Sequence, residues 1–477
     1  MKTNQTPAGR RWLGLAVIAA AQFMVIMDTS IIGVALPEMR RDLGFSADNL
    51  SWVFNAYVVA LGGLLLLGGK LSDVLGARKV FTAGWVVLAI GSLVAGLAGD
   101  VGTELTGRAL QGVGSALIAP SALTLLFMLF GATPRELTKA LAVYGAAAPA
   151  GGTAGVFLGG VITEYLAWPW VFFINIPIAV LILALVPTTM PAGVPARSRV
   201  DVLGALLVTG GVAAAVYGVV NAPEVGWDAA ATWLVLAGSA VLLAVFVGLQ
   251  AAGRHPLVRL GIFRTPNLAA ANLAQVLLGA AWIPMWFFLN LYLQQVLGYS
   301  AFPSGAALLP MTGLIMLGMV VVAPRVIAAV GPKHTAVAGL VLLAVGMGWL
   351  SLVDPNGSYV VDVLPASLVA ALGMSLAFIP TLGTAISSAR PEEGGLASGI
   401  VNTSYQVGSA LGLAVMTAIA AGQGADRLGN VAALTDGYSA AFMGAAAIAA
   451  VAAIAAATLL RTSSPAPAEA EVLEEAA

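Results

Sequence analysis

The sequence is poor in the residues that metal, redox and hydrolytic chemistry need. It contains no cysteine, which excludes disulfides and thiolate metal sites. Its two histidines, His255 and His334, lie far apart in short basic loops, so we expect neither a metal site nor a cofactor. It also has no nucleotide-binding glycine loop and no nucleophile–base pair, which disfavours an enzyme or an ATP-driven machine. The net charge of −1 gives no reason to expect a nucleic-acid partner.

Charged residues are scarce as well. They make up 9% of the chain, whereas hydrophobic residues make up 60%, and the mean hydropathy is +0.96. A soluble domain has roughly 25% charged and 45–50% apolar residues. A water-facing surface cannot be built from this composition, so the chain is predicted to be a membrane protein.

Long, uniformly apolar runs fill the chain. A membrane-spanning helix needs about 20 such residues, whereas a membrane barrel would need short alternating segments. The first run is too long for the core of a signal peptide and is expected to remain in the protein. The fold class predicted is therefore all-α and polytopic, with 14 transmembrane helices. The predicted spans are Trp12–Leu36, Leu50–Gly68, Val80–Ala98, Thr103–Phe127, Ala140–Ile162, Val171–Thr189, Val202–Val220, Ala230–Gln250, Leu268–Gln294, Ser304–Val326, Thr335–Val353, Val361–Ile386, Leu396–Ala420 and Ala440–Leu460.

The positive charges predict the orientation of these spans. With the N-terminus inside, 17 of the 21 lysine and arginine residues face the cytoplasm. Only Arg40, Arg41 and Arg427 lie outside, and Arg108 lies within a span. An odd number of spans would destroy this bias midway, so both termini are predicted to be cytoplasmic.

Two loops carry the trace of an internal duplication. Lys70–Arg78 and Arg325–Lys333 both place a glycine six residues after a basic residue and a second basic residue two positions later. A chance match remains an alternative, since basic loops of this kind are common. If the seventh and eighth spans are an insertion, each half has six helices, as in transporters built from repeats. The predicted divisions are a cytoplasmic N-terminus (1–11), a six-helix bundle (12–189), a linker with two extra spans (190–255), a second six-helix bundle (256–461) and a disordered cytoplasmic tail (462–477).

Asp28 and Arg108 are charged residues placed inside predicted spans. Each costs roughly 2.5–3.5 kcal/mol at the centre of a membrane helix, so such residues normally pair or face a water-filled cavity. The topology puts both in the outer half of the membrane, where they could pair and couple transport to protons. The alternative is that both side chains extend to the interface as structural anchors.

Uncharged polar residues also interrupt the spans. Many of them will only join helices by hydrogen bonds. The residues expected to line a substrate cavity are Gln22, Asn55, Tyr57, Gln111, Asn290, Asn402, Tyr405 and Gln406.

The fifth span is rich in glycine. Gly151, Gly155 and Gly159 place one glycine per turn on a single face, beside Gly160, and Pro149 is expected to kink the helix. Helices that approach closely and then separate suit a rocking transporter, while plain tight packing explains the pattern equally well.

These motifs together resemble the major facilitator superfamily, in particular its fourteen-helix drug:proton antiporters. The segments that carry the resemblance begin at Asp28, Gly69, Arg108, Gly151, Trp168 and Asn402 and follow the family order. The resemblance implies that Asp28 and Arg108 couple protons and that the fifth-helix glycines form the antiporter motif. It also implies that a loop formed by Gly69, Lys70, Asp73, Gly76, Arg78 and Lys79 latches one conformation.

Three positions depart from the family pattern. Val156 stands where proline is usual, Pro169 stands where arginine is usual, and the second loop has Ala328 in place of the acid. A latch in the second half is therefore expected to be weaker.

The function predicted is proton-coupled efflux of drugs, antibiotics or other amphipathic small molecules across a bacterial cytoplasmic membrane by alternating access. The alternative is a facilitator or proton symporter that imports a polar metabolite. Protons, a small-molecule substrate and the lipid bilayer are the expected partners, and the chain is expected to work as a monomer.

Overall fold

The computed structural model describes residues 8–45, 52–192, 201–253, 260–265, 267–390, 393–425, 427 and 429–461. All the regular elements in these residues are helical, as the apolar composition predicts. The predicted tail 462–477 and the first seven residues of the predicted N-terminal segment lie outside the described residues.

The described residues form 16 α-helices. They are α1 (Ala8–Leu43), α2 (Trp52–Leu75), α3 (Ala77–Gly96), α4 (Val101–Phe130), α5 (Pro134–Tyr165), α6 (Trp170–Phe173), α7 (Asn175–Thr189), α8 (Val202–Val225), α9 (Ala230–Ala252), α10 (Leu268–Leu291), α11 (Ala301–Ala307), α12 (Leu309–Leu317), α13 (Ala323–Leu350), α14 (Leu364–Ser387), α15 (Gly394–Ala420) and α16 (Val431–Leu459). A 3₁₀ turn, Leu260–Arg264, precedes α10. Wide π-helical turns lie at Tyr292–Val296, Gly318–Val322, Tyr359–Val363 and Ala421–Ala425.

Twelve helical stretches in the described residues are long and apolar enough to cross a membrane. One of them, Pro303–Leu350, has 48 residues, about twice the length that a bilayer needs. Leu203–Val219, within α8, is a shorter apolar stretch. The chain is thus a multi-pass helical membrane protein, and the prediction of 14 spans is not confirmed by this count.

The sixth predicted span, Val171–Thr189, is interrupted. α6 ends at Phe173 and α7 begins at Asn175. Pro177 has no N–H to donate to the carbonyl four residues earlier, which belongs to Phe173. The interruption puts Asn175 at the first turn of a helix inside the bundle.

The helices of the first and last parts of the chain pair in the same way. α1 packs on α5 and α3 on α4, while α10 packs on α15 and α13 on α14. α8 packs against both α2 and α15, so it contacts helices from both parts. α9 packs on α8, and its outer side chains, such as Leu234 and Val241, are exposed apolar residues suited to lipid.

The two duplicated loops share a backbone conformation. Gly76 has φ 93° and ψ 131°, and Gly331 has φ 83° and ψ 165°. Side chains beyond glycine rarely adopt this region, so glycine is required at both turns. Gly331 interrupts α13 six residues after Arg325, as Gly76 ends the turn six residues after Lys70.

Candidate functional site

A buried ion pair lies at the centre of the first group of helices. Arg108 on α4 donates from Nη1 to Asp28 Oδ2 on α1 over 2.7 Å. The two side chains are 0% and 1% exposed. A buried charge pair is retained only with good geometry and further hydrogen bonds, so the neighbours of this pair decide what it can do.

The other carboxylate oxygen of Asp28 accepts hydrogen bonds from two neutral side chains. Gln111 on α4 and Asn175 on α7 donate to Asp28 Oδ1 over 2.9 and 2.7 Å. Both amides also donate to the hydroxyl of Ser92 on α3. The carboxylate therefore joins α1, α4 and α7, and a change in its charge would alter the contacts between these helices.

Arg108 is held from two further directions. Its Nε donates to the carbonyl of Val53 on α2 over 2.9 Å, and its guanidinium lies 4.6 Å from the centre of the Tyr57 ring. Tyr57 in turn donates to Ser115 Oγ over 2.9 Å. The Nη2 of Arg108 has no hydrogen-bond partner among the described residues. One side of the guanidinium is thus free to bind another acceptor.

In this conformation the two intramembrane charges are in contact with each other. Asp28 and Arg108 pair with each other and do not extend to the interface, since both are buried. Tyr57 and Gln111, predicted to line a substrate cavity, are fully buried in this network. In this conformation their polar groups take part in hydrogen bonds inside the bundle.

The other predicted cavity residues are distributed over four helices, α1, α2, α10 and α15. Gln22 accepts a hydrogen bond from Tyr144 across the α1–α5 contact, and Asn290 accepts one from Gln294. Asn55 is buried on α2. The remaining three, Asn402, Tyr405 and Gln406, are half-buried on α15. Among these three, Tyr405 stacks edge-on against Phe378 of α14, with ring centres 5.8 Å apart.

The glycine face of α5 packs against α1 directly beside Asp28. A Cβ at Gly155 would lie 2.8 Å from the carbonyl oxygen of Met27, and one at Gly151 would clash with the carbonyl of Phe23. Gly159 is buried, whereas a Cβ at Gly160 would meet nothing. α5 runs without interruption through Pro149. The motif therefore allows backbone contact between two helices at the depth of the ion pair.

The predicted latch loop connects the two parts of the chain. Asp73 Oδ2, at the end of α2, accepts a hydrogen bond of 3.0 Å from the backbone N–H of Leu396, in the first turn of α15. A carboxylate is stabilised there by the positive end of the helix dipole. Nearby, a Cβ at Gly399 would lie 3.5 Å from Cα of Gly69, so α2 and α15 are in close backbone contact.

The basic residues of the loop behave differently from one another. Arg78 donates to the carbonyl of Met190 at the end of α7 over 3.4 Å, within its own part of the chain. Lys79 is exposed, and Lys70 is half-buried. Of the charged members of the loop, Asp73 is thus the one with a hydrogen bond to the second part that the structure describes.

Sequence reasoning missed Glu104. This residue of α4 is 0% exposed, and neither of its carboxyl oxygens has a hydrogen-bond partner among the described residues. Its position four residues before Arg108 was the available signal, since residues at that spacing are neighbours on a helix face. Ser92 and Ser115 were missed too, because a single serine in an apolar run has no distinctive pattern.

Comparison with known families identifies the family to which the chain belongs. The family model of the Major Facilitator Superfamily matches residues 18–413. The chain belongs to the Major Facilitator Superfamily. It is therefore a membrane transporter of small molecules and not an enzyme.

This superfamily transporter is similar in sequence to two known bacterial proteins. It is 38% identical to a cephamycin export protein of Amycolatopsis lactamdurans, over 93% of this chain and 91% of that protein. It is 37% identical to a puromycin resistance protein of Streptomyces alboniger, over 88% of this chain and 83% of that protein.

Solved structures share the superfamily fold. The human organic anion transporter MFSD10 superimposes with a TM-score of 0.68 at 16% identity, covering 95% of this chain and all of that one. The proton:xylose symporter XylE superimposes with a TM-score of 0.67 at 15% identity, covering 94% and 95%. At these identities the likeness establishes the fold alone.

Proposed function

We propose that this transporter exports antibiotics or related amphipathic molecules in exchange for protons, by alternating access. The observation that carries the proposal is the Asp28–Arg108 pair, a buried carboxylate that can gain a proton within a chain related to antibiotic exporters.

The coupling step rests on the hydrogen bonds of Asp28. As a carboxylate it accepts from Arg108, Gln111 and Asn175. A proton on Asp28 removes the charge attraction to Arg108 and occupies one acceptor site, so the α1–α4 and α1–α7 contacts weaken together. Since α1 also packs backbone to backbone on α5, a shift of α1 reaches the glycine face of the antiporter motif.

The proposed latch stabilises one conformation of the transport cycle. Asp73 accepts a hydrogen bond from the N-terminus of α15 while α2 and α15 are in contact. This bond keeps the transporter closed on the side of the membrane where the two helices meet. Opening toward that side requires this bond to break. The substrate meets the half-buried polar residues Gln22, Asn402, Tyr405 and Gln406, with Asn55 and Asn290 nearer the ends of their helices.

The full topology has 14 spans, two bundles of six and two helices between them. The 48-residue stretch Pro303–Leu350 divides at Gly331 into two spans, and α8, with 24 residues, adds another. The segments are 1–11, 12–189, 190–255, 256–461 and 462–477. One chain supplies both bundles, so the monomer is the working unit.

Both termini face the cytoplasm of a bacterium in this proposal, which the lysine and arginine distribution supports. A membrane-impermeant reagent should label a tag at either terminus only after the membrane has been permeabilised to give access to the cytoplasmic side. Labelling of a C-terminal tag on intact cells would contradict the even number of spans.

A susceptibility panel tests the function. Expression in an efflux-deficient host should lower sensitivity to puromycin, cephamycins or related compounds, and a proton uncoupler should abolish the protection. Protection that persists at full strength with the uncoupler would contradict proton coupling. Accumulation of the compound inside the expressing cells would contradict export and favour the import alternative.

A further inference from the structure

Glu104 is a buried acid that the coupling step above does not use. It lies in the first turn of α4, where its neighbours Val101 and Leu105 pack against an apolar cluster with Ile31, Ala95 and Phe172. Both carboxyl oxygens lack hydrogen-bond partners among the described residues. An ionised carboxylate in such a place costs several kcal/mol, so the neutral acid fits this conformation.

Asp100 is an exposed acid at the same end of α4, and its surroundings contrast with those of Glu104. It caps α4, accepting from the N–H and the hydroxyl of Thr103 over 3.0 and 2.6 Å. These hydrogen bonds from Thr103 lower the pKa of Asp100, which keeps it ionised at the surface. Glu104, four residues further along α4, is fully buried, and its carboxyl oxygens accept no hydrogen bond from the residues that the structure describes.

The charged groups that act on Glu104 are Arg108 of its own helix and Asp28 of α1. The polar groups that α3 and α7 contribute nearby, Ser92 and Asn175, are neutral. At the outer end of α1, Arg40, Arg41 and Asp42 are exposed to solvent. Within the buried cluster there are thus two acids and one arginine, and the cluster is neutral only when one acid holds a proton.

Arg108 is placed to bind either acid. Its Nη1 bonds Asp28, while its Nη2 has no partner in the described part of the chain. Glu104 lies one helical turn away, about 6 Å along the axis, and a glutamate four residues before an arginine forms the favourable orientation of a helical ion pair.

We propose that Asp28 and Glu104 share one proton across Arg108, with Glu104 holding it in this conformation and Asp28 holding it in the alternate one. The inference rests on the proposed proton coupling and names a second proton site for it. The O–H bond of the Glu104 carboxyl breaks, the proton binds Asp28, and Arg108 keeps its charge and turns its Nη2 to the Glu104 carboxylate. Asp28 then releases its proton toward the cytoplasm, and a hydronium ion from the external side protonates Glu104 and leaves as water, so that the cluster again holds one proton.

The first test needs only the protein and protons. An infrared titration of the purified transporter should detect a protonated carboxyl group at neutral pH. Glu104→Gln should remove that band, because its carrier is gone. Asp28→Asn should remove it as well, because Arg108 is then free to pair with an ionised Glu104. The control Asp436→Asn, which alters an exposed acid of α16, should leave the band unchanged.

A negative infrared result would contradict the shared proton but would not contradict the proposed export function. A wild-type protein without the band, or a band that survives Glu104→Gln, would sink the shared proton. So would a band that survives Asp28→Asn, since that carboxyl would then be independent of Asp28.

Transport in proteoliposomes separates the two hypotheses, with puromycin as the probe. Wild-type protein should move puromycin against its gradient when a proton gradient is imposed, and Glu104→Gln should lose this while retaining puromycin exchange without a gradient. Glu104→Asp, which keeps the acid, should restore part of the proton-driven transport. Puromycin transport by the wild type that ignores the proton gradient would refute the proposed function. Proton-driven transport that is equal in wild type and Glu104→Gln would refute only the role of Glu104.

Discussion

At the scale of single residues, the charged groups within the apolar helices are the basis of the proposed coupling. Asp28 and Arg108 are recognisable in the sequence because an apolar helix rarely contains a charge. Their burial and their partners come only from the fold: Asp28 accepts from three side chains on two helices, and Arg108 reaches a carbonyl on a third.

Replacing Asp28 by asparagine should abolish proton-driven efflux while leaving folded protein in the membrane. Asparagine has a similar shape and can still accept from Arg108, but it cannot bind a proton in this role. The matched control is Glu136→Gln. Glu136 also pairs with an arginine, Arg11, over 3.3 Å, but both side chains are about one-third exposed. Exposed pairs contribute roughly 0–1 kcal/mol, so efflux should be retained. Near-normal efflux by Asp28→Asn in vesicles would remove Asp28 from the mechanism.

At the scale of elements, the proposed latch lies where α2 meets α15. The end of α2 places an acid against the N-terminus of α15, and the duplicated segment repeats the glycine turn without the acid. The sequence predicts this asymmetry, since Ala328 stands at the corresponding position.

Asp73→Asn should slow turnover more than it weakens substrate binding. Asparagine can still accept from Leu396, but the charge-assisted part of the bond is lost, which amounts to about 1 kcal/mol or roughly fivefold in the closed–open equilibrium. Asp100→Asn is the control, because Asp100 caps its own helix and asparagine is an equally good cap. Unchanged turnover with lost affinity would contradict a latch.

Gly331→Ala should destabilise the protein by about 1–3 kcal/mol, because alanine is forced into a backbone region open almost only to glycine. Thermal unfolding in detergent measures the effect. Gly313→Ala is the control: this glycine lies in α12, and a Cβ there would meet nothing within 4 Å. Equal stability of the two variants would argue against a strained turn at Gly331.

At the scale of the whole molecule, the two proposed bundles contact each other through polar side chains as well as through backbone. Thr153 on α5 and Thr312 on α12 share a hydrogen bond of 2.6 Å between their hydroxyls. Alternating access requires the bundles to move relative to one another, so contacts of this kind must form and break during the cycle.

A disulfide at this position should stop transport. The chain has no cysteine, so Thr153→Cys with Thr312→Cys introduces the only two thiols. Oxidation should abolish efflux and a reductant should restore it, whereas each single variant should be unaffected by either treatment. Full efflux by the cross-linked protein would show that the α5–α12 contact stays fixed during transport.

The sequence by itself determined that the chain is helical and embedded in a membrane, because hydrophobicity and helix length are local properties. It also determined that Asp28 and Arg108 need partners, because charge inside an apolar run is costly wherever the chain folds. Tertiary structure alone decided which partners they have, since their bonds join residues about 80 to 150 positions apart. It also buried Tyr57 and Gln111 within the hydrogen-bond network, and it placed Glu104 where its carboxyl group has no donor among the described residues. Those outcomes depend on how helices pack, and the hydrophobic pattern of a helix surrounded by lipid and protein does not specify which face meets which neighbour.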